Sequence, residues 1–159
     1  LHVGHLTENR NLYIRITLVR EDRHIIVVSS QSTPFENVNH DKIKRDLIEA
    51  GVHVIDEYIE NIEEIYQLSD VYVFPVTNPM GCIGVPLSIL EALACGIRVV
   101  TTDFNNIDKI GDMFHGLSVT PVTNFSVKID EFVADCRDNA PIGFQINESD
   151  PRFMKNNIL

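Results

Sequence analysis

Basic residues are scarce in this chain: 13 Lys and Arg stand against 23 Asp and Glu over 159 residues, a formal charge of −10. That balance argues against general affinity for nucleic acid or anionic lipid headgroups. It leaves room for a local basic site that takes a small anion. Cysteine is scarcer still. Cys82, Cys95 and Cys136 form an odd set without metal-like spacing, so a reducing compartment is expected. Eight Gly and seven Pro are too few for a fibrous or disordered chain. No apolar run reaches the ~18 residues of a membrane-spanning helix. No signal peptide is visible either; Leu1 leads straight into apolar sequence, as in an excised or processed fragment. Against these absences, 44% of residues are hydrophobic, and a chain of this mass hides roughly 70% of its unfolded surface on folding. A core without disulfides or structural metal is affordable at that size.

Short β-branched runs recur between helix-like stretches. Leu1–Gly4, Ile25–Val28, Val52–Ile55, Val71–Val76, Ile97–Thr102 and Gly116–Thr120 read as strands. Their apolar residues are continuous, not alternating, which predicts a sheet covered on both faces. Helices are expected at Asp41–Ala50, Ile62–Leu68 (with Asn61 able to cap), Pro86–Cys95 and Ser126–Arg137. In the third, Pro86 suits the first helical position, and Leu87, Leu90, Leu93 and Ala94 read as the shared apolar face. The segment Leu12–Val19 fits two patterns: Leu12, Ile14, Ile16 and Leu18 alternate like a strand, while Leu12, Ile16 and Val19 fit a helix. After Ala140 the pattern dissolves. The fold class is therefore α/β: a doubly wound, Rossmann-like parallel sheet of about six strands with helices on both faces, over residues 1–140, followed by an irregular tail at 141–159.

Such sheets bind ligands beyond the carboxyl ends of their strands. Three junctions qualify: those after Leu1–Gly4 and Val52–Ile55, and the loop between Val76 and Pro86. In the first, GHLTENRN, Gly4 lets a ligand approach the backbone, Arg10 can offer a fixed positive charge to a phosphate, and His5 can add a donor. The alternative is a tight turn with a solvated arginine. The third junction carries Gly81 and Gly84 ahead of the helix opened by Pro86, an arrangement that presents backbone N–H groups and the positive dipole end to a diphosphate. Glu91 reads either as a boundary carboxylate with its head in water or as an acceptor for sugar hydroxyls. Neither a GxGxxG fingerprint nor a P-loop lysine is present. His2, His24, His40, His53 and His115 lack ligand spacing and read as surface or satisfied histidines. Cys82 and Cys95 read as small buried hydrophobes. Glu57, Glu60, Glu63 and Glu64 read as a solvated face, and Asp108 as a helix-start residue.

The passages SDVYVFPV and GVPLSILEALACGIRVVTTD resemble the nucleotide-sugar-binding, C-terminal half of a family 4 glycosyltransferase with the GT-B fold. The first junction is similar in register, with Gly4-His5-Leu6 and Arg10-Asn11 standing where that family has Gly-Arg-hydrophobic and Lys-Gly. The stretch VHVIDEYIENIEEIYQLSD resembles the family's strand, short helix and Ser/Ala-Asp step. The likeness covers about residues 1–137 and resolves Leu12–Arg23 as a helix.

What the resemblance implies is a retaining transfer of sugar from a nucleotide diphosphate sugar to an acceptor hydroxyl, without an essential metal or other cofactor. It implies diphosphate binding by Gly4, His5 and Arg10 and by the backbone of Gly84, Val85, Pro86 and Leu87. Glu91 would hold the ribose hydroxyls, Glu57 and Tyr58 would sit by the nucleobase, and position 83 would face the donor sugar. The implied partners are the nucleotide sugar, a sugar or lipid-linked acceptor, and a separate N-terminal acceptor-binding domain. No nucleic acid or membrane span is expected. The implied location is cytoplasmic, with membrane-surface association open to the full-length protein. This chain alone is expected to be inactive, and its catalytic residues are unknown. Three positions depart from the family: Ile83 replaces a glutamate, His5 an arginine, and Glu57 a glycine. Ile83 and His5 favour an alternative, a non-catalytic binding or scaffold domain with a degenerate donor site. Another open α/β module, such as a sugar-nucleotide epimerase or a receiver-like domain, is a third reading, although Asp103 and Lys109 are too little acid and base for a receiver.

Overall fold

A computed structural model describes residues 1–29, 39–78, 84–105, 107–111 and 113–138. Gly81, Cys82, Ile83 and the tail at 141–159 lie outside the described residues. Six parallel strands appear where the apolar runs predict them: β1 His2–Val3, β2 Ile26–Val28, β3 His53–Ile55, β4 Val71–Phe74, β5 Arg98–Thr101 and β6 Leu117–Val119. They form two three-stranded sheets, ordered β1-β2-β3 and β4-β5-β6. β1 and β4 meet edge to edge: the Leu1 nitrogen donates to the Val71 carbonyl (2.9 Å), and Val73 N–H donates to the Leu1 carbonyl (2.8 Å). The spatial order is thus β3-β2-β1-β4-β5-β6, and it reverses direction between β1 and β4.

The continuous apolar runs have a direct cause. Val71 and Val73 face one core while Tyr72 and Phe74 face a second; Val100 and Val99 divide in the same way. On one face pack α1 (His40–Glu49), which buries Ile43 and Leu47, and α5 (Phe125–Asp138), which buries Phe125 and Ile129. On the other pack α2 (Ile62–Gln67), α3 (Leu87–Ala94) and the residues around the single-turn α4 (Asp108–Gly111). Gly51, at φ +86°, ends α1 in the left-handed conformation that suits glycine.

Four local expectations need correction. Leu12–Arg23 is helical only over Leu12–Leu18, and there as a 3-10 helix. Its period of three puts Leu12, Arg15 and Leu18 in the buried stripe, a spacing that neither the strand nor the α-helix reading contains. The β-branched run disfavours a regular α-helix, and the Thr17 hydroxyl bonds back to the Ile14 carbonyl. In α3, Pro86 precedes the first helical residue, and the buried face is Ile89, Ala92 and Leu93. Leu87 is 66% exposed. Nearly every position of that helix is apolar, so composition alone allows several stripes. Asn61 makes no capping bond to the backbone of α2; its amide donates to the Glu64 carboxylate instead (3.4 Å). His2 is no surface histidine and is only partly satisfied: it is fully buried, with Nε2 lacking a hydrogen-bond partner.

Candidate functional site

The carboxyl ends of β1 and β4 lie side by side at the point where strand order reverses, the place where sheets of this kind take ligands in a crevice. Gly4 closes β1, its N–H donating to the Val28 carbonyl (2.9 Å). A Cβ at Gly4 would stand 3.1 Å from His2 Nε2, at a φ of +155° that side chains rarely adopt. His5 follows, half-buried. A short 3-10 helix, Glu8–Arg10, then delivers the Arg10 guanidinium over the ring of Phe74, 5.5 Å from its centroid. Phe74 is the last residue of β4, so this cation from the first junction sits at the mouth of the adjacent strand.

Asn11 fixes that placement. It adopts the left-handed conformation (φ 51°, ψ 43°), and its amide donates to the Pro75 carbonyl (3.1 Å). The Arg10 loop is thereby tied to the segment leaving β4. Asparagine is among the few residues besides glycine that take this conformation readily, which explains how Asn11 can stand where the resembling family has glycine.

Across the crevice, the side chain of Pro86 makes no cap on α3. The opening amides of a helix have no partners within it. Gly84 is exposed, and a Cβ there would meet nothing within 4 Å. Ser88 in the first turn faces the Tyr72 hydroxyl, which donates to the Val3 carbonyl (3.1 Å). Tyr72 therefore links β4, the end of β1 and the start of α3. Burial pushes its phenol up to about 12.

Glu91, one turn further along α3, is exposed, but its orientation is set from below. Tyr66 Oη on α2 donates to Glu91 Oε2 (2.9 Å). Burial, then the neighbouring Tyr72 and Glu91, hold the Tyr66 phenol well above the usual tyrosine range, so it remains a donor. On the far side, Glu57 is exposed and Tyr58 is 81% exposed in the loop after β3. That loop is anchored by Asp56, whose carboxylate is buried, paired to Lys44 (2.8 Å) and 3.4 Å from His40 Nε2 of α1.

Arg10, Gly4 and His5 are thus gathered at the β1/β4 seam, with Ser88 joined to it through Tyr72. Glu91 is held one turn along α3, Glu57 and Tyr58 lie two strands away at the β3 end, and Ile83 lies outside the described residues. Sequence reasoning missed Tyr66, Asn11 and Tyr72. Asn11 alone had a readable signal, as an asparagine at a glycine position. Cys95 is half-buried against the core, and desolvation raises its thiol above the usual range. Among the described residues, no three His, Cys, Asp or Glu side chains gather as metal ligands would. Among the same residues, no helix is long and apolar enough to cross a membrane.

The family model described as "Glycosyl transferases group 1" matches residues 1–135. No curated protein matches the chain by sequence. Solved structures match it in fold. The Anabaena protein Alr3699/HepE, in complex with UDP-glucose, superposes with a TM-score of 0.67 at 16% identity, over 88% of this chain and 41% of that one. The catalytic domain of cholesterol-alpha-glucosyltransferase from Helicobacter pylori gives 0.59 at 17% identity, covering 87% and 89%. The C-terminal domain of the group 1 family protein LpcC from Francisella tularensis gives 0.60 at 18%, covering 86% and 75%. At such identities the likeness is one of fold. This chain spans about two fifths of the Anabaena chain.

Proposed function

The chain belongs to the glycosyl transferases group 1 family, and from that premise we propose that it is the nucleotide-sugar-binding domain of a retaining, family 4 transferase of the GT-B fold. It takes the donor half of a reaction that moves a sugar from a nucleotide diphosphate to an acceptor hydroxyl. The observation that carries this reading is the position of Arg10, over Phe74 at the carboxyl end of β4. A guanidinium there faces the point where a leaving diphosphate develops charge, and a fixed cation stabilises that charge as the glycosidic bond breaks.

The remaining roles follow from position. His5 and the backbone of Gly84, Val85, Pro86 and Leu87 donate to the diphosphate, and Arg10 supplies positive charge that a metal supplies in other transferases. Glu91, oriented by Tyr66, accepts from the ribose hydroxyls. Glu57 and Tyr58 lie by the base. Ile83 stands at the sequence position that the family resemblance assigns to the donor sugar. An N-terminal domain supplies the acceptor site and the remaining catalytic groups, and this chain by itself turns nothing over.

Crystals of the similar Anabaena protein contain UDP or UDP-glucose, which makes uridine nucleotides the first to try. The test is a thermal-shift panel of UDP, GDP, ADP and their sugars against the 159-residue chain. A ligand that binds only the folded state raises the melting temperature, by an amount that grows with its concentration over Kd. One nucleoside diphosphate is expected to do so. A second reading rests on Ile83 and His5, where a hydrocarbon and an imidazole replace a carboxylate and a guanidinium: the domain keeps the fold as a scaffold and has lost the donor. A panel with no shift at millimolar ligand selects that reading.

A further inference from the structure

The 3-10 helix Leu12–Leu18 carries a charge into the protein interior. Its period of three places Arg15 in the buried stripe between Leu12 and Leu18, and Arg15 is 1% exposed. Its Nη2 donates to the Val73 carbonyl (3.3 Å), while Nε and Nη1 are out of contact with solvent and have no hydrogen-bond partner. Among the described residues, no carboxylate pairs with it. The same Val73 carbonyl accepts from His2 Nδ1 (3.1 Å). His2 offers no counter-charge in either form: its imidazole is neutral or cationic, and burial and the nearby Arg15 hold it far below the usual histidine range, in the neutral form.

A buried guanidinium with two idle nitrogens is costly, since a charge taken out of water needs compensation. Packing does not require it, for a methionine fills a similar volume. Its location suggests what the charge is for. Arg15 meets Val73, and Arg10 meets the next residue, Phe74. The two like charges are close enough to disfavour each other: burial first, offset by Tyr72 and reinforced by Arg10, brings Arg15 down to about 9. An anion placed against Arg10 relieves that repulsion for both groups. It does so without touching Arg15, whose nitrogens are sealed by protein.

We infer that Arg15 is a second, buried cation of the anion site, a positioning residue that strengthens diphosphate binding through the low-dielectric interior behind Arg10 while weakening the ligand-free fold. The inference rests on the donor-site reading above. Field lines from a buried charge are screened far less than those from a surface one, so Arg15 contributes even though it makes no contact with the ligand.

The test is calorimetric titration of inorganic pyrophosphate and of UDP into the 159-residue chain and its Arg10→Ala, Arg15→Met, Arg15→Lys and Arg15→Gln variants, with melting temperatures for each. Arg15→Met is expected to melt at or above the wild-type temperature without ligand and to bind pyrophosphate about tenfold more weakly. Arg15→Lys, which keeps a charge, is expected to bind within about threefold of wild type. Unchanged affinity in Arg15→Met alongside a loss in Arg10→Ala overturns the inference and leaves the donor-site reading intact. No binding by the wild type takes down both. A lower melting temperature with lost binding that Arg15→Lys does not recover identifies a packing residue and also overturns it. If Arg15→Met does not fold, Arg15→Gln carries the comparison, and wild-type affinity there is again contrary.

Discussion

The two ends of the sheet use arginine differently. At the amino end, Arg20 and Arg23 both bind the Asp130 carboxylate of α5, and Arg20 also binds Asp22. Arg98, first in β5, is sealed between the Asp135 carboxylate and the Phe132 carbonyl of the same helix. At the carboxyl end, Arg10 lies on an aromatic face and Arg15 donates to a single backbone carbonyl. Charges at the first end are neutralised by the protein itself and hold α5 in place. At the second end Arg15 makes no ion pair among the described residues. In a chain with net charge −10, acid is plentiful, so leaving Arg15 without a carboxylate is a property of the site and not of composition. The contrast matters because a cavity of about 290 Å³ opens at the amino end, bordered by Arg20, Arg23, His24 and Asp130. Strand direction favours the other end as the ligand site.

Substitutions at the two ends should therefore separate binding from stability. Arg10→Ala is expected to weaken nucleoside diphosphate binding by about tenfold to a hundredfold, the range for hydrogen bonds to a charged group, with little change in urea midpoint. Arg98→Met is expected to do the reverse: a loss of about 2 kcal/mol in unfolding free energy, read by urea titration, with unchanged affinity. A fall in affinity with Arg98→Met and none with Arg10→Ala would reverse the assignment of the two ends. Smaller is the effect of Glu91→Gln, about fivefold on a ribonucleotide and less on its 2′-deoxy analogue, which keeps only the 3′-hydroxyl. Equal losses for both would make Glu91 structural.

A separate effect is on stability in alkali. The Tyr72 phenol ionises near 10 when unfolded but only at about 12 in the folded chain. Above pH 10 the unfolded state releases a proton that the native state keeps, so this contribution is whole below pH 10 and is lost as pH rises toward about 12. Tyr66 shifts in the same direction. Tyr72→Phe should flatten the fall of the urea midpoint across that window, and an unaltered slope would count against the buried phenol.

The six strands were legible because their apolar runs are continuous, and continuity has one cause, a core on each face. Residues such as Val71–Phe74 state that cause without any partner in view. What stayed hidden depends on partners. Leu12–Leu18 carries apolar residues at so many positions that spacings of two and 3.6 both fit, and only packing selects three, which then buries Arg15. The apolar α3 offered Leu87 as readily as Ile89, and contacts with β4 and β5 decided between them. The same holds for the candidate site. Gly4, Arg10 and Glu91 stand out in sequence as a strand-end glycine, a rare cation and a helix-borne acid. Tyr66 and Tyr72 act only through neighbours distant in the chain, at a separation of 25 residues for Tyr66 and Glu91 and 69 for Tyr72 and Val3.

The most direct measurement is an amide chemical-shift map of the 159-residue chain titrated with UDP. Shifts concentrated at Gly4, His5, Arg10, Leu87, Ser88 and Glu91 are the expected result. Shifts confined to Arg20, Arg23, His24, Asp70 and Asp130, around the opposite cavity, would contradict it.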